Sequence, residues 1–134
     1  MAKGHREQKA RKTRRVKRNV PRGRVYIHTT FNNIIVTVTD PQGNVVRWGS
    51  AGKMGFKGTR KSTSFAARLA AEKVVQEAMA TEGLQEVDLF VKGAGPGREA
   101  SLRAIAGTGI RIRSIVDRTP IPHNGCRPSK KRRV

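Results

Sequence analysis

Positive charge is crowded into the two ends of this chain, which confines any hydrophobic core to the stretch between them. Residues 1–24 hold eleven Lys or Arg against a single acid, Glu7, and residues 118–134 hold six basic groups and no acid. The segment 25–117 has twelve basic and eight acidic groups, so it carries only +4 of the net +20. Ends so charged and so poor in apolar residues have too little surface to bury against the entropy of ordering. They are expected to stay disordered until a polyanion meets them. Nucleic acid suits such arms best, because each Lys or Arg that neutralises a phosphate also releases a counterion; solubilising tails are the plainer alternative. The chain thus divides into a basic arm (1–24), one folded domain (25–117) and a Pro-rich basic tail (118–134).

A domain of about 93 residues supports a modest core. No apolar run approaches the roughly 20 residues of a membrane-spanning helix, and the basic start is followed by no apolar stretch of the kind a secretory leader needs. Cys126 is the only cysteine, so an intrachain disulfide is impossible and a reducing compartment is expected.

Within the domain, Val25–Thr30 and Ile34–Thr39 are rich in β-branched residues and read as strands. Phe31-Asn32-Asn33 breaks them, and Asp40-Pro41-Gln42-Gly43 is a turn leading into a third strand, Asn44–Ser50. Gly52, Gly55 and Gly58 then alternate with Lys53, Lys57, Arg60 and Lys61 in a flexible basic loop. Ser64–Thr81 is a helix, with Ser62, Thr63 or Ser64 as N-cap and Gly83 as its stop. Ala67, Ala71, Val74, Val75 and Ala78 fall on one face, and so many alanines predict close approach to a sheet. A strand over Val87–Lys92, a short helix over Glu99–Ala106 and a last strand over Ile110–Val116 complete the pattern. In that last strand Arg111 and Arg113 face opposite to Ile110 and Ile112. Strands first, then strand–helix–strand, predict an α/β fold: a mixed β-sheet with helices packed on it.

Two loops carry the chemistry. Gly93-Ala94-Gly95-Pro96-Gly97-Arg98 joins a strand to a helix, where backbone N–H groups and the helix dipole suit a phosphate. It lacks the Gly-Lys-Ser/Thr of a P-loop and the third glycine spacing of a dinucleotide site. An RNA phosphate, with Arg98 and Arg103 supplying charge, suits it better than a free nucleotide, and a plain tight turn competes. The Lys53–Lys61 loop can lie close to folded RNA while its cations reach phosphates on either side. The six aromatics are few, and Phe65 and Phe90 sit in elements expected to form the core, which argues against a base-stacking platform.

Catalytic readings find little support. His123 and Cys126 have no group to orient them, and His5, His28 and His123 lack metal-ligand spacing. A metal-dependent nuclease would need converging carboxylates, of which only Asp40, Asp88 and Asp117 lie near strands. A histone-like DNA-compacting protein would share the tails but would prefer duplex DNA.

Several strings of residues resemble a known family. They are Phe31-Asn32-Asn33 followed by Ile35–Asp40, Gly55-Phe56-Lys57-Gly58, Phe65-Ala66-Ala67, Val91-Lys92-Gly93 with Gly95–Glu99, and Thr119–Pro128. The string Pro-Ile-Pro-His-Asn-Gly-Cys-Arg-Pro is the most specific. Together they resemble the bacterial-type uS11 family, the eleventh protein of the small ribosomal subunit. Ser64 and Ala94 stand where many relatives have proline, which alters local stiffness but removes no charge. The resemblance implies a ribonuclease-H-like topology without a nuclease site, hence no enzyme, cofactor, metal, membrane or small-molecule substrate. It implies a cytoplasmic ribosome, with an organellar one as the alternative. It places the protein on the platform, bridging helices of small-subunit rRNA. There it would help form the cleft holding the messenger's ribosome-binding sequence paired with the rRNA 3′ end. The seventh and eighteenth small-subunit proteins would be neighbours, and the third initiation factor a further contact.

The residues assigned to rRNA on this reading are Asn32, Asn33, Lys53, Lys57, Arg60, Lys61, Gly95, Gly97, Arg98 and Arg103. In the tail they are His123, Asn124, Arg127, Lys130, Lys131, Arg132 and Arg133. Pro120, Pro122 and Pro128 stiffen that tail for threading between RNA helices. Asn124-Gly125 is also chemically labile, since the unhindered Gly125 amide can attack the Asn124 side chain and yield isoaspartate. Peptide mass spectrometry on aged protein is expected to find isoaspartate at Asn124; asparagine alone would refute this.

Overall fold

The computed structural model describes residues 19–133; the arm up to residue 18, for which disorder is expected, lies outside the described residues. Five strands form one mixed sheet: β1 (Arg22–Thr29), β2 (Ile34–Thr39), β3 (Val45–Ser50), β4 (Glu86–Lys92) and β5 (Arg111–Asp117). The helices are α1 (Ser64–Thr81) and α2 (Arg98–Gly107), with a 3-10 turn over Gly58–Ser62. The strand order is β3-β2-β1-β4-β5, with β1–β2–β3 antiparallel and β1–β4–β5 parallel. This is the α/β fold with a mixed sheet expected from the element pattern.

Local chemistry explains the elements. The Thr30 hydroxyl accepts hydrogen bonds from the Asn32 and Asn33 amides and donates to the Asn33 carbonyl, closing the β1–β2 turn. Asp40 accepts from the Asn44 backbone N–H at 2.7 Å and Gly43 turns at φ +96°, closing β2–β3. Thr63 caps α1 by accepting from the Ala66 N–H at 3.3 Å. Gly83, at φ +67°, ends it.

The alternation of β1 divides the sheet into two faces. Val25, Ile27 and Thr29 are buried beneath the helices, with Val36, Val38, Val87, Leu89 and Val91 beside them. Ala66, Ala67, Ala70, Ala71, Val74, Val75 and Ala78 of α1 close this core. The small residues bring helix and sheet close: a Cβ at Gly49 of β3 would collide with Val74 Cγ2, and one at Gly97 would lie 2.5 Å from Ala67 Cβ. Ser101 of α2 is fully buried and donates its hydroxyl to the Arg98 carbonyl at 2.8 Å. The opposite face of the sheet has no helix over it among the described residues.

Three expectations change. The first strand begins at Arg22 rather than Val25, because Arg22, Gly23 and Arg24 pair in register with Glu86, Val87 and Asp88. Charge does not prevent this, since Arg22 and Arg24 point to the open face; Gly23 fills the crowded side, where a Cβ would meet Leu84 at 2.7 Å. In β5, a bulge opposite Val87/Asp88 interrupts the simple alternation, so that Ser114 pairs with Asp88. Phe65 and Phe90 also depart from expectation. Phe65 is 61% exposed on α1, and Phe90 is half-buried on the open face of β4.

Gly49→Ala is expected to cost about 1–3 kcal/mol by overpacking against Val74. Adding Val74→Ala should give a combined loss smaller than the sum of the two single losses in chemical denaturation. Additive losses would refute the contact.

Candidate nucleic-acid interface

Strand direction gathers most of the basic loops at one end of the sheet. β1, β4 and β5 run parallel, and β3 shares their direction because both it and β1 are antiparallel to β2. The β1–β2 turn, the long loop after β3, the β4–α2 loop and the start of the tail therefore all emerge where the parallel strands end. In open α/β sheets the carboxyl ends of the strands are the usual place for ligands. The N-termini of both helices point there too, and Ser64 at the start of α1 donates to the Pro96 carbonyl at 3.2 Å.

The β1–β2 turn presents Phe31, 78% exposed, beside exposed Asn32. Asn33 is turned inward, its side-chain oxygen accepting from the Ile34 N–H at 2.8 Å. The long loop, expected to be flexible, is organised by Phe56, which packs edge-on against Phe65 with centroids 6.1 Å apart. Gly55 and Gly58 turn at positive φ on either side of Lys57. Lys57 and Arg60 are exposed and Lys61 half-buried. Lys53 folds back onto β3, its Nζ donating to the Trp48 carbonyl at 3.1 Å. From Pro41 to Ala71 the sequence holds six Lys or Arg and no acid. Arg47 of β3 is paired with Glu82 and Glu77, while Lys53, Lys57, Arg60, Lys61 and Arg68 have no acid partner among the described residues.

The glycine loop is built for packing as well as turning. A Cβ at Gly93, which has φ +98°, would collide with the Thr29 carbonyl, and one at Gly95 would lie 2.5 Å from the Thr30 carbonyl. The Gly93 N–H donates to Thr119 Oγ1 and the Gly95 N–H to Thr29 Oγ1. Both amides are therefore engaged within the protein. Gly97, as N-cap of α2, supplies no side-chain cap, so that helix end keeps unsatisfied N–H groups. Arg98 is also held internally: one terminal nitrogen donates to the Gly93 carbonyl at 2.9 Å, the other to Asp117 Oδ2 at 2.8 Å. Arg103 is exposed further along α2, 3.8 Å from Glu99.

Asp117 ties the tail to this end. Its other oxygen accepts from the Thr119 hydroxyl at 2.7 Å and the Thr119 N–H at 2.9 Å. Those Thr119 bonds, and then Arg98, hold its carboxyl well below the ordinary 3.8. Beyond Thr119 no hydrogen bond or ion pair among the described residues joins tail to domain. His123, Asn124, Arg127, Lys130, Lys131, Arg132 and Arg133 are all exposed there. Asn124 is the only non-glycine at positive φ (54°) among the described residues.

Sequence reasoning missed Arg24, Tyr26 and Arg118, which meet at Phe90 on the open face: Arg118 Cζ lies 4.3 Å from the ring centroid. The signal was the period-two run Arg22, Arg24, Tyr26, His28, hidden once Arg22 and Arg24 were assigned to the arm.

Compared with known proteins, residues 23–133 match the family profile described as ribosomal protein S11. Small ribosomal subunit protein uS11 of Bdellovibrio bacteriovorus is 55% identical over 128 residues, covering 96% of this chain and 98% of that protein. Its counterpart from Aquifex aeolicus is 56% identical over 125 residues, covering 93% and 99%.

The depressed Asp117 carboxyl stabilises the loop–tail junction above the unfolded value of 3.8, and that contribution is lost as pH falls through the lower folded value. An NMR titration of its side-chain carbon should show a midpoint below 3.8. A midpoint at or above 3.8 would refute the bonding described.

Proposed function

Because the chain belongs to the ribosomal protein S11 family, we propose that the basic end of its sheet clamps small-subunit rRNA. As a family member it is a structural constituent of the small ribosomal subunit in the cytoplasm and not an enzyme. The observation that carries the proposal is the convergence, at the ends of the parallel strands, of the acid-free loop after β3, with its Lys53, Lys57, Arg60 and Lys61, and the start of a tail with six cations.

In this reading Lys57, Arg60 and Lys61 reach phosphates directly, supported by Lys53, while Arg103 adds a contact from α2. Arg98 acts as a positioning residue: it braces the glycine loop against Asp117 and so fixes the start of α2. Gly95 and Gly97 let that loop lie against β1 and α1, leaving the α2 N-terminus to face a phosphate. Asn32 and Phe31 approach the RNA from the β1–β2 turn. The tail from His123 to Arg133 orders between RNA helices, its loss of entropy offset by phosphate contacts.

The finer placement follows from the family resemblance: a site on the platform, bridging separate rRNA helices and lining the cleft for the messenger's ribosome-binding sequence. The seventh and eighteenth small-subunit proteins would be neighbours and the third initiation factor a transient contact. The positive φ, exposure and following glycine of Asn124 support its proposed conversion to isoaspartate.

Sedimentation of an extract in high salt should carry the protein stoichiometrically with the small subunit; release to the top of the gradient would overturn integral binding. Lys57→Ala with Arg60→Ala should weaken binding to extracted small-subunit rRNA. It should also flatten the log–log salt dependence by roughly 0.9 per lost contact. An unchanged slope would remove the loop from the interface.

A further inference from the structure

The face of the sheet turned away from α1 and α2 carries one residue from every strand in direct register: Trp48, Thr37, Tyr26, Phe90 and Val116. Trp48 is 52% exposed and Val116 39%. The Tyr26 and Phe90 rings stack with centroids 5.1 Å apart and planes within 17°. Cations lie over this row. The Arg118 and Arg24 guanidinium carbons are 4.3 Å and 6.0 Å from the Phe90 centroid, and Lys53 Nζ is 4.6 Å from that of Trp48.

None of these three cations pairs with an acid among the described residues. The acids on this face are already engaged: Glu86 by Arg22 and Arg111, and Asp88 by the Ser114 hydroxyl. A guanidinium laid on an aromatic face uses its π surface there and keeps its N–H edge for another partner. Its side chain is also already restrained, so less entropy is lost when a ligand arrives.

We propose that this open face is a second rRNA surface, on which Arg24 and Arg118, laid against Phe90, grip the sugar–phosphate backbone of an rRNA strand. The inference rests on the rRNA-binding reading above and extends it to residues outside the loop end. Unpaired cations favour an anionic occupant. The aromatic row beside them, with Trp48 its exposed member, favours RNA over an acidic peptide, because a base can stack where a carboxylate cannot. The face is continuous with the basic end of the sheet, since Arg118 opens the tail and Lys53 belongs to the long loop.

The chain's single tryptophan lies in this row and makes the idea testable on the unaltered protein. Titration of the full chain with extracted small-subunit rRNA should protect Trp48 fluorescence from quenching by acrylamide. Arg24→Gln with Arg118→Gln should lower the log–log salt slope of that binding by about 1.4–1.8, the value for two phosphate contacts on single- or double-stranded nucleic acid. Binding with Trp48 still fully open to acrylamide would overturn the proposal while leaving rRNA binding by the loop end intact. So would protection that arises only when purified small-subunit proteins are added, which would assign the face to a protein. Failure of the unaltered chain to bind the rRNA at all would instead overturn the functional reading on which this inference rests.

Discussion

The pairing of β1 on both edges is the interaction the rest of the structure depends on. It meets β2 antiparallel from Arg24 to Thr29 and β4 parallel from Arg22 to His28, joining the hairpin half of the sheet to the strand–helix–strand half. A strand hydrogen-bonded on both sides leaves few unpaired backbone groups, and its period of two commits each residue to one face. Gly23, Val25, Ile27 and Thr29 go to the helices; Arg22, Arg24, Tyr26 and His28 go to the open side. A slip of one residue would bury arginine and expose valine, so the hydrophobic face holds the register and the register aligns both the loop end and the aromatic row.

Close approach is the second constraint. Gly49 against Val74, Gly97 against Ala67 and Gly95 against the Thr30 carbonyl leave no room for a Cβ, so the helices and the glycine loop sit tightly on the sheet. The same packing explains why the Gly-x-Gly-x-Gly string does not form a nucleotide cradle: the Gly93 and Gly95 amides already donate to the hydroxyls of Thr119 and Thr29. In the proposed reading the phosphate-binding role falls instead to exposed cations held by a rigid frame. Arg98 shows this division well, since its charge is spent on Gly93 and Asp117 and its contribution is the shape of the loop.

Much of the fold was legible because it rests on local signals. α1 spans the predicted Ser64–Thr81 because a threonine cap, a stripe of alanines and a terminal glycine all lie within its own sequence. The β2–β3 hairpin was legible from Asp40-Pro41-Gln42-Gly43 for the same reason. The start of β1 was not, because nothing in Pro21–Arg24 looks like a strand until β4 is beside it; pairing partners 64 residues apart decided it. Phe65 and Phe90 were placed in the right elements, but a residue's element does not say which face it occupies. The β5 bulge likewise depends on a neighbour strand.

By itself, the sequence determined the chemistry available: a polyanion-binding chain with charged ends, an acid-free basic loop, an alanine-faced helix, and motifs specific enough to name a family. Composition and local pattern suffice for these because they depend on residue type and near neighbours alone. Only the tertiary structure decided which cations act together and which are occupied. Parallel strands brought distant loops to one end, Asp117 engaged Arg98, and sheet register laid Arg24 and Arg118 on one ring. Those outcomes depend on distances between residues far apart in the chain, which are set only when the whole sheet closes around its shared core.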